Sequence, residues 1–163
     1  MRSRTLFPLC LTGLLLACAS GSRSTSPGAA SSDSEPVQPC AVNPTPPEGG
    51  TQVLITADAE GKVHFSTKTV QVRAGQAVSF VSQVQQDRCV GVANSGLLVE
   101  GSTNPLPVPA CQVATWTLSS SDKLGESTSL WSCPKSDCSK CTRPEGIKDT
   151  INGTLEVSGR GED

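Results

Sequence analysis

The chain has 163 residues, with 13 Lys and Arg against 15 Asp and Glu, and only 3% of its residues are aromatic. Binding to nucleic acid requires clustered Lys and Arg that neutralise phosphates, and single strands also need aromatic stacking platforms. Because the sequence has neither a basic cluster nor many aromatic residues, we expect no nucleic-acid partner.

The amino-terminal segment combines two arginines with a short apolar run. Arg2 and Arg4 precede the apolar stretch Leu6–Leu16. A basic region followed by an apolar run of this length is typical of a secretory signal, and the run is too short to span a bilayer as a mature helix. We therefore predict that residues 1–17 are a signal peptide.

The apolar run ends in Leu15-Leu16-Ala17-Cys18, which resembles the lipobox of bacterial lipoproteins. The resemblance implies that the Cys18 thiol carries a diacylglycerol, that cleavage occurs before Cys18, and that the new amino terminus is acylated. Ala19 replaces the Asp that retains enterobacterial lipoproteins at the inner membrane, so the resemblance indicates the outer membrane of a Gram-negative bacterium. The alternative is an ordinary signal peptide cut after Ala17 or Ala19, which would leave a soluble exported protein.

Residues 18–50 are predicted to be the lipidated cysteine and a flexible tether. Ser, Thr, Gly and Pro dominate this stretch and no apolar period appears, so it cannot bury enough surface to fold alone. Cys40 interrupts the tether, and we expect it to attach the last part, residues 40–50, to the domain that follows.

Residues 51–160 show the pattern of a β-sandwich. Short segments rich in β-branched residues alternate with turn residues, and no window has the period of an amphipathic helix. Pro105, Pro107 and Pro109 exclude a central strand and indicate a surface loop or sheet edge. The predicted strands cover residues 52–57, 62–66, 69–73, 77–81, 90–92, 97–99, 113–118, 129–133 and 153–157.

Six cysteines remain in the mature chain once Cys10 leaves with the signal peptide and Cys18 carries lipid. An even number in a small exported domain is typical of a disulfide framework, which supports a thin core. The number alone leaves fifteen connectivities open. The six are Cys40, Cys89, Cys111, Cys133, Cys138 and Cys141.

Three segments resemble the cupredoxin family. Thr69–Phe80 is similar to its strand–turn–strand motif, Leu130–Pro134 to the late strand that delivers the copper thiolate, and Asn152–Val157 to its closing strand. The resemblance implies an all-β fold, an antiparallel Greek-key sandwich, which the cysteines would brace.

The copper ligands of that family are absent. A blue-copper site needs two imidazoles, a thiolate and a weak axial thioether. The mature chain has His64 alone, which is expected to face solvent from a strand opposite Val63 and Phe65, and its methionine, Met1, leaves with the signal. We therefore expect no metal and no cofactor other than the lipid on Cys18.

Cysteines stand where the resemblance would place copper. It puts the first imidazole near Arg88 or Cys89 and the thiolate at Cys133, and a disulfide there would tie the two sheets together in place of the metal. We therefore predict that Cys89 bridges into the segment 133–141, with Cys133 as the favoured partner. The remaining pairings stay open: Cys40 and Cys111 bind each other, or bind Cys138 and Cys141.

The spacing Cys133-x₄-Cys138-x₂-Cys141 leaves three other chemistries to weigh. Zinc needs four ligands, and the segment offers three. A redox C-x-x-C centre needs a helix after it, but Pro144 and Gly146 follow Cys141 closely. A thiolate site for Cu(I) is the third. Disulfides are favoured over all three in an oxidising compartment, and we identify no catalytic residues, so an enzyme is not expected.

Two functional hypotheses follow. The first is a membrane-anchored, non-catalytic structural or protein-binding part of a cell-envelope assembly, for example for surface motility, secretion or adhesion, with other envelope proteins as partners. The second is a cysteine-based copper-handling or thiol-redox lipoprotein. Titration of free thiols in the non-reduced protein separates them, because the first hypothesis requires that all six cysteines are paired.

Overall fold

The structure, a computed structural model, describes residues 36–120, 125–135, 137–141 and 149–158, all within the unit that runs from Ser34 to Asp163. The predicted signal peptide, Cys18 and residues 19–35 of the predicted tether lie outside the described residues. In these described ranges, no helix is long and apolar enough to cross a bilayer.

Strands dominate the described part of the chain. Two 3₁₀ turns, Ser95–Leu97 and Cys138–Lys140, accompany them. The strands are β1 (Thr51–Ala57), β2 (Val63–Phe65), β3 (Thr69–Arg73), β4 (Ala77–Ser82), β5 (Arg88–Val92), β6 (Leu106–Val108), β7 (Val113–Thr117), β8 (Ser127–Cys133) and β9 (Ile151–Ser158).

The strands form two sheets. One sheet has the order β2-β1-β4-β7 and the other has the order β3-β9-β8-β5-β6. The pairings β1–β4 and β3–β9 are parallel, and the other strand pairings within the described residues are antiparallel. This is the disulfide-braced β-sandwich that the strand pattern predicts, and that prediction is confirmed.

The core lies between the two sheets and follows the two-residue period of the strands. In β3 the side chains of Val70 and Val72 are buried while their neighbours are exposed. Phe80 of β4 meets Trp116 of β7 edge to face, with ring centroids 5.3 Å apart. This geometry is the one that aromatic pairs prefer.

The three segments that resemble the cupredoxin family occupy the elements expected of them. Thr69–Phe80 forms β3, a turn and most of β4, and the turn closes where Gln76 N–H donates to Arg73 O at 3.0 Å. Gly75 has φ +78° in this turn, a value that glycine adopts without strain. Leu130–Pro134 covers the end of β8, and Asn152–Val157 lies within β9. The three segments therefore form the strands that the resemblance assigns to them.

Two local predictions have different outcomes. The strand predicted at 97–99 is wrong, because the Asn94 side chain accepts from Gly96 N–H at 3.0 Å and starts a 3₁₀ turn. Leu98 makes only an isolated bridge with Leu118. The prolines are where the sequence indicated, since Pro107 lies in β6 at the edge of the five-stranded sheet.

The segment before β1 packs against the sandwich from residue 36 onward. Val37 packs against the core, and its N–H donates to Gly61 O at 3.3 Å. Cys40 N–H donates to Gln83 O at 2.9 Å. The end of the predicted tether is therefore attached to the domain, as the position of Cys40 indicated.

Candidate functional site

The outer face of the five-stranded sheet carries a pair of cysteines. Cys89 of β5 and Cys133 of β8 are register partners, as are Val90 and Ser132 next to them. Side chains alternate between the faces of a sheet. Val90 belongs to the core between the sheets, whereas Cys89 and Cys133 belong to a separate buried cluster. Both cysteines therefore face away from the inter-sheet core.

Trp131 lies across Gly91 on the same outer face. The two residues are register partners, and a Cβ atom on Gly91 would lie 2.5 Å from the indole ring. The indole Nε1 donates to Cys141 O at 3.4 Å. Glycine at position 91 therefore makes room for the ring, and the ring in turn contacts the loop that follows β8.

That loop contains a 3₁₀ turn, Cys138–Lys140, which is capped by Asp137. The Asp137 carboxylate accepts from Ser139 N–H at 3.1 Å and from its hydroxyl at 2.6 Å, and it lies 3.3 Å from Lys140 Nζ. These hydrogen bonds from Ser139, followed by Lys140, lower the pKa of Asp137 below its usual range. Local hydrogen bonds therefore order the turn that presents the loop cysteines.

Two disulfides attach this loop to the sheet. Cys89 is bonded to Cys138 with Cα atoms 5.5 Å apart, and Cys133 is bonded to Cys141 with Cα atoms 6.3 Å apart. Both distances are ordinary for disulfides. Four cysteines and Trp131 thus form one compact group, which we call the four-cysteine cluster: Cys89, Cys133, Cys138 and Cys141.

The prediction for Cys89 is right in part. Cys89 does bridge into the segment 133–141, but its partner is Cys138, so the favoured pairing with Cys133 is wrong. The loop after β8 folds back over the outer face and brings both of its cysteines to bonding distance. The idea that this bridge ties the two sheets together is also wrong, because β5 and β8 are neighbours in one sheet.

A buried arginine lies next to Cys89 in β5, on the inner face of the five-stranded sheet. Arg88 is 1% exposed, and its guanidinium donates to Ser132 Oγ at 2.9 Å, Ser132 O at 3.1 Å, Asp149 O at 2.9 Å and Gln86 Oε1 at 2.6 Å. Burial lowers the pKa of Arg88 to about 10, and the charge of Asp149 opposes that shift. The side chain stays charged at neutral pH and joins β5, β8 and the residues before β9.

The third disulfide lies elsewhere and stands alone. Cys40 is bonded to Cys111, with Cα atoms 5.7 Å apart and a sequence separation of 71. This pairing is one of the alternatives that the sequence left open. It joins the segment before β1 to the residues that precede β7.

His64 lies in the four-stranded sheet, whereas the four-cysteine cluster lies on the five-stranded sheet. It is exposed on β2 between buried Val63 and Phe65, as predicted. Its Nε2 lies 3.0 Å from Thr56 Oγ1 on the neighbouring strand. The histidine therefore belongs to the outer surface of the four-stranded sheet.

The donor set at the four-cysteine cluster does not fit copper. A blue-copper site requires imidazoles and a free thiolate, but these four sulfurs are bonded in pairs and the neighbouring cation is Arg88. Among the described residues, no group of three or more His, Cys, Asp or Glu side chains is arranged to hold a metal ion. The cluster therefore contains two adjacent disulfides, and one of them includes Cys138, which is half-buried.

Sequence reasoning missed three residues of this region, namely Arg88, Gly91 and Trp131. For Arg88 a signal existed, because it shares the inward phase of Val90 and Val92 in its strand. For Gly91 and Trp131 the signal was weaker, since their pairing depends on the register between two strands, and the two residues are 40 positions apart.

The chain was also compared with known proteins. No family model matches it, and no curated protein does. Solved structures that it resembles include a purple cupredoxin from Nitrosopumilus maritimus, with 13% identity and a TM-score of 0.43 over 66% of this chain and 99% of that one. Another is Lac15 from a marine microbial metagenome, with 16% identity and a TM-score of 0.39 over 67% of this chain and 32% of that one.

A third similar structure is a multi-copper oxidase from Pediococcus acidilactici. Its identity to this chain is 14% and the TM-score is 0.39, over 77% of this chain and 30% of the oxidase. The chain thus spans about a third of the length of Lac15 and of this oxidase. Similarity at this level of identity concerns the fold alone.

Proposed function

We propose that the protein is an outer-membrane-anchored lipoprotein that serves as a non-catalytic structural or protein-binding part of a cell-envelope assembly, such as one for surface motility, secretion or adhesion. The observation that carries the proposal is that the described domain places its six cysteines in three disulfides. A domain of this kind is a braced scaffold, and its sulfurs are not free to bind metal.

The disulfides support export. Disulfides form and persist in oxidising compartments such as the bacterial periplasm and the cell surface, and they are rare in the cytosol. They therefore agree with the secretory signal and lipobox proposed for residues 1–18. The residues that follow Cys18 would give the domain reach above the lipid headgroups.

The position of Arg88 at the end of the sandwich supports a non-catalytic role. Where the cupredoxin resemblance would place a metal ligand, the guanidinium of Arg88 is buried and donates to carbonyl and hydroxyl oxygens. Guanidinium has no lone pair to offer a metal at neutral pH. The partners we propose are the membrane, through the lipid, and other envelope proteins.

The anchor is tested by Cys18→Ala. The variant should lose the mass of the lipid and leave the detergent phase on partitioning, because the thiol is the acyl acceptor. Cys10→Ala is the matched control, since this residue leaves with the signal peptide, and it should be lipidated normally. Outer-membrane fractionation of Cys18→Ala like that of the unmodified sequence would contradict the anchor.

The alternative function, copper handling or thiol redox chemistry by free cysteines, is tested on the same preparation. Titration of the non-reduced protein should find no reactive thiols, and Cu(II) should give no intense visible charge-transfer band. A stoichiometric blue complex that survives His64→Ala but not Cys133→Ala would favour the alternative.

A further inference from the structure

The first observation is the close approach of Cys89 and Cys133, which are not bonded to each other. Ala93 N–H donates to Ser129 O at 3.1 Å, so this residue pair is a hydrogen-bonded pair of the antiparallel ladder. Cys89 and Cys133 lie four residues from this pair along their strands. Because hydrogen-bonded pairs recur at every second residue, Cys89 and Cys133 also form a hydrogen-bonded pair. The Cα atoms of such pairs are about 5.5 Å apart, within the Cα range of disulfides, and their Cβ atoms, about 5 Å apart, must approach by about 1 Å for the bond to form.

The second observation concerns the other two cysteines of the cluster. Cys138 begins a 3₁₀ turn and Cys141, three residues later, caps its end, where Cys141 N–H donates to Cys138 O at 3.0 Å. Residues at this spacing eclipse each other in a 3₁₀ helix. The four cysteines thus have a second set of neighbours, Cys89 with Cys133 and Cys138 with Cys141, beside the pairs that are bonded.

The third observation is a difference in burial within the cluster. Cys89, Cys133 and Cys141 are 0% exposed, whereas Cys138 is only partly buried. Cys138 is therefore the cysteine of the cluster that is most open to a thiolate from solution. Exchange depends on access to the sulfur that is attacked.

We propose that the four-cysteine cluster is a thiol–disulfide exchange site that accepts a low-molecular-weight thiol at Cys138 and interconverts two pairings of its four sulfurs. The inference goes beyond the scaffold role proposed above and does not depend on the lipid anchor. It also keeps all six cysteines paired at rest, as that role requires.

The exchange has three steps that balance. The external thiolate attacks Cys138 Sγ, which forms a mixed disulfide and releases Cys89 as a thiolate. Cys89 Sγ then attacks Cys133 Sγ, which forms the Cys89–Cys133 bond and releases Cys141. Finally Cys141 Sγ attacks Cys138 Sγ, which forms Cys138–Cys141 and expels the external thiolate. Two disulfides replace two, so no net oxidant or reductant is consumed.

The second pairing changes what the loop contacts. Both covalent links between β5 or β8 and the turn at 138–141 are lost, while the two strands become joined to each other. Trp131, which is 7% exposed and donates to Cys141 O, then loses its covering. Trp116 remains in the inter-sheet core and is unaffected.

The test uses the full chain in detergent, incubated with a small amount of glutathione, blocked with N-ethylmaleimide and mapped without reduction. Cleavage after Lys and Arg together with cleavage after Glu separates the cysteines, because Glu100, Lys135 and Lys140 lie between them. The expected result is a new link between peptides 89–100 and 127–135, together with one between 136–140 and 141–145. The pair Cys40–Cys111 should be unchanged.

Either of two outcomes would overturn the proposal. One is a map that keeps only the original pairings, with or without glutathione on Cys138. The other is a reaction of Cys40–Cys111 before the cluster. Quenching of tryptophan fluorescence by acrylamide gives a second readout, which should rise with exchange and should not rise in Trp131→Phe.

A single substitution tests the buried step without added thiol. In Cys138→Ser the thiol of Cys89 is left beside the Cys133–Cys141 bond, so a fraction of the free thiol should be found on Cys141. Cys111→Ser is the matched control, in which the free thiol should stay on Cys40. Labelling of Cys138→Ser on Cys89 alone would show that Cys89 cannot attack Cys133 and would overturn the relay.

Discussion

The two disulfide-bearing regions of the domain stabilise different things. Cys40–Cys111 closes a segment of 71 residues and attaches the segment before β1 to the residues that precede β7. The four-cysteine cluster instead attaches one loop to one sheet face, and its Cys133–Cys141 bond spans only 8 residues. Since a bridge restricts the unfolded chain more when it closes a longer loop, we expect Cys40–Cys111 to stabilise the fold most and Cys133–Cys141 least, with Cys89–Cys138, separated by 49 positions, between them.

The largest expected effect comes from removing the isolated bridge. Replacing Cys40 and Cys111 together by Ser should lower the free energy of unfolding by about 4 kcal/mol, the chain-entropy value for a loop of 71 residues. Denaturation in urea measures the loss. A loss of unfolding free energy smaller than that of the cluster variant described next would contradict the comparison.

Removal of the shortest bridge should have a smaller effect. Cys133→Ser with Cys141→Ser should cost about 2.5 kcal/mol by the same chain-entropy argument, because the loop it closes has 8 residues. The same variant should increase hydrogen exchange in the loop at 137–141 while the protection of β1 and β4 is kept. Global loss of protection would show that the cluster also secures the fold.

Filling the space beneath Trp131 should destabilise the cluster without touching a cysteine. Gly91→Ala places a Cβ atom 2.5 Å from the indole ring, and overpacking of this kind costs about 1–3 kcal/mol. Adding Trp131→Phe, which has a smaller ring, should recover part of that loss. If the effects of the two substitutions on the free energy of unfolding simply add in a double-mutant cycle, the contact between residue 91 and Trp131 does not restrict packing at the cluster.

The smallest effect is expected at Asp137, which is exposed. Its pKa is lowered by the hydrogen bonds from Ser139 and then by Lys140, so its contribution to stability is present above the unfolded pKa. The contribution is lost as pH falls through the lowered, folded-state pKa. Asp137→Asn should remove this part of the acid dependence of loop protection and leave the urea midpoint at neutral pH almost unchanged.

The sequence predicted the sandwich well because strand alternation is local. The phases of Val70, Val72 and Phe80 follow directly from the order of residues. It predicted less well at 97–99, where the Asn94 side chain competes for the backbone. The correct partner of Cys89 was out of reach, because it depends on the path of a loop that no residue period reports.

The cluster shows the same division between local and non-local information. The approach of Cys89 to Cys133 follows from strand register, which the family resemblance indicated. The covalent bond follows from how the loop at 137–141 returns to the sheet, which short-range hydrogen bonds at Asp137 and Ser139 decide together with the fold. The lipid anchor at Cys18 lies outside the described residues and stays a prediction.

The edge strand β6 affects how copies of the protein can pair with one another. The backbone N–H and C=O of Cys89 point toward β8, so Cys89 makes no backbone hydrogen bonds to its register partner Pro107. The backbone N and C=O of Pro107 therefore point toward the free edge of the sheet. Proline has no N–H, and Pro105 and Pro109 share this phase on either side. An incoming strand finds no N–H donors at these three positions, so this edge does not support the growth of a sheet between copies of the protein.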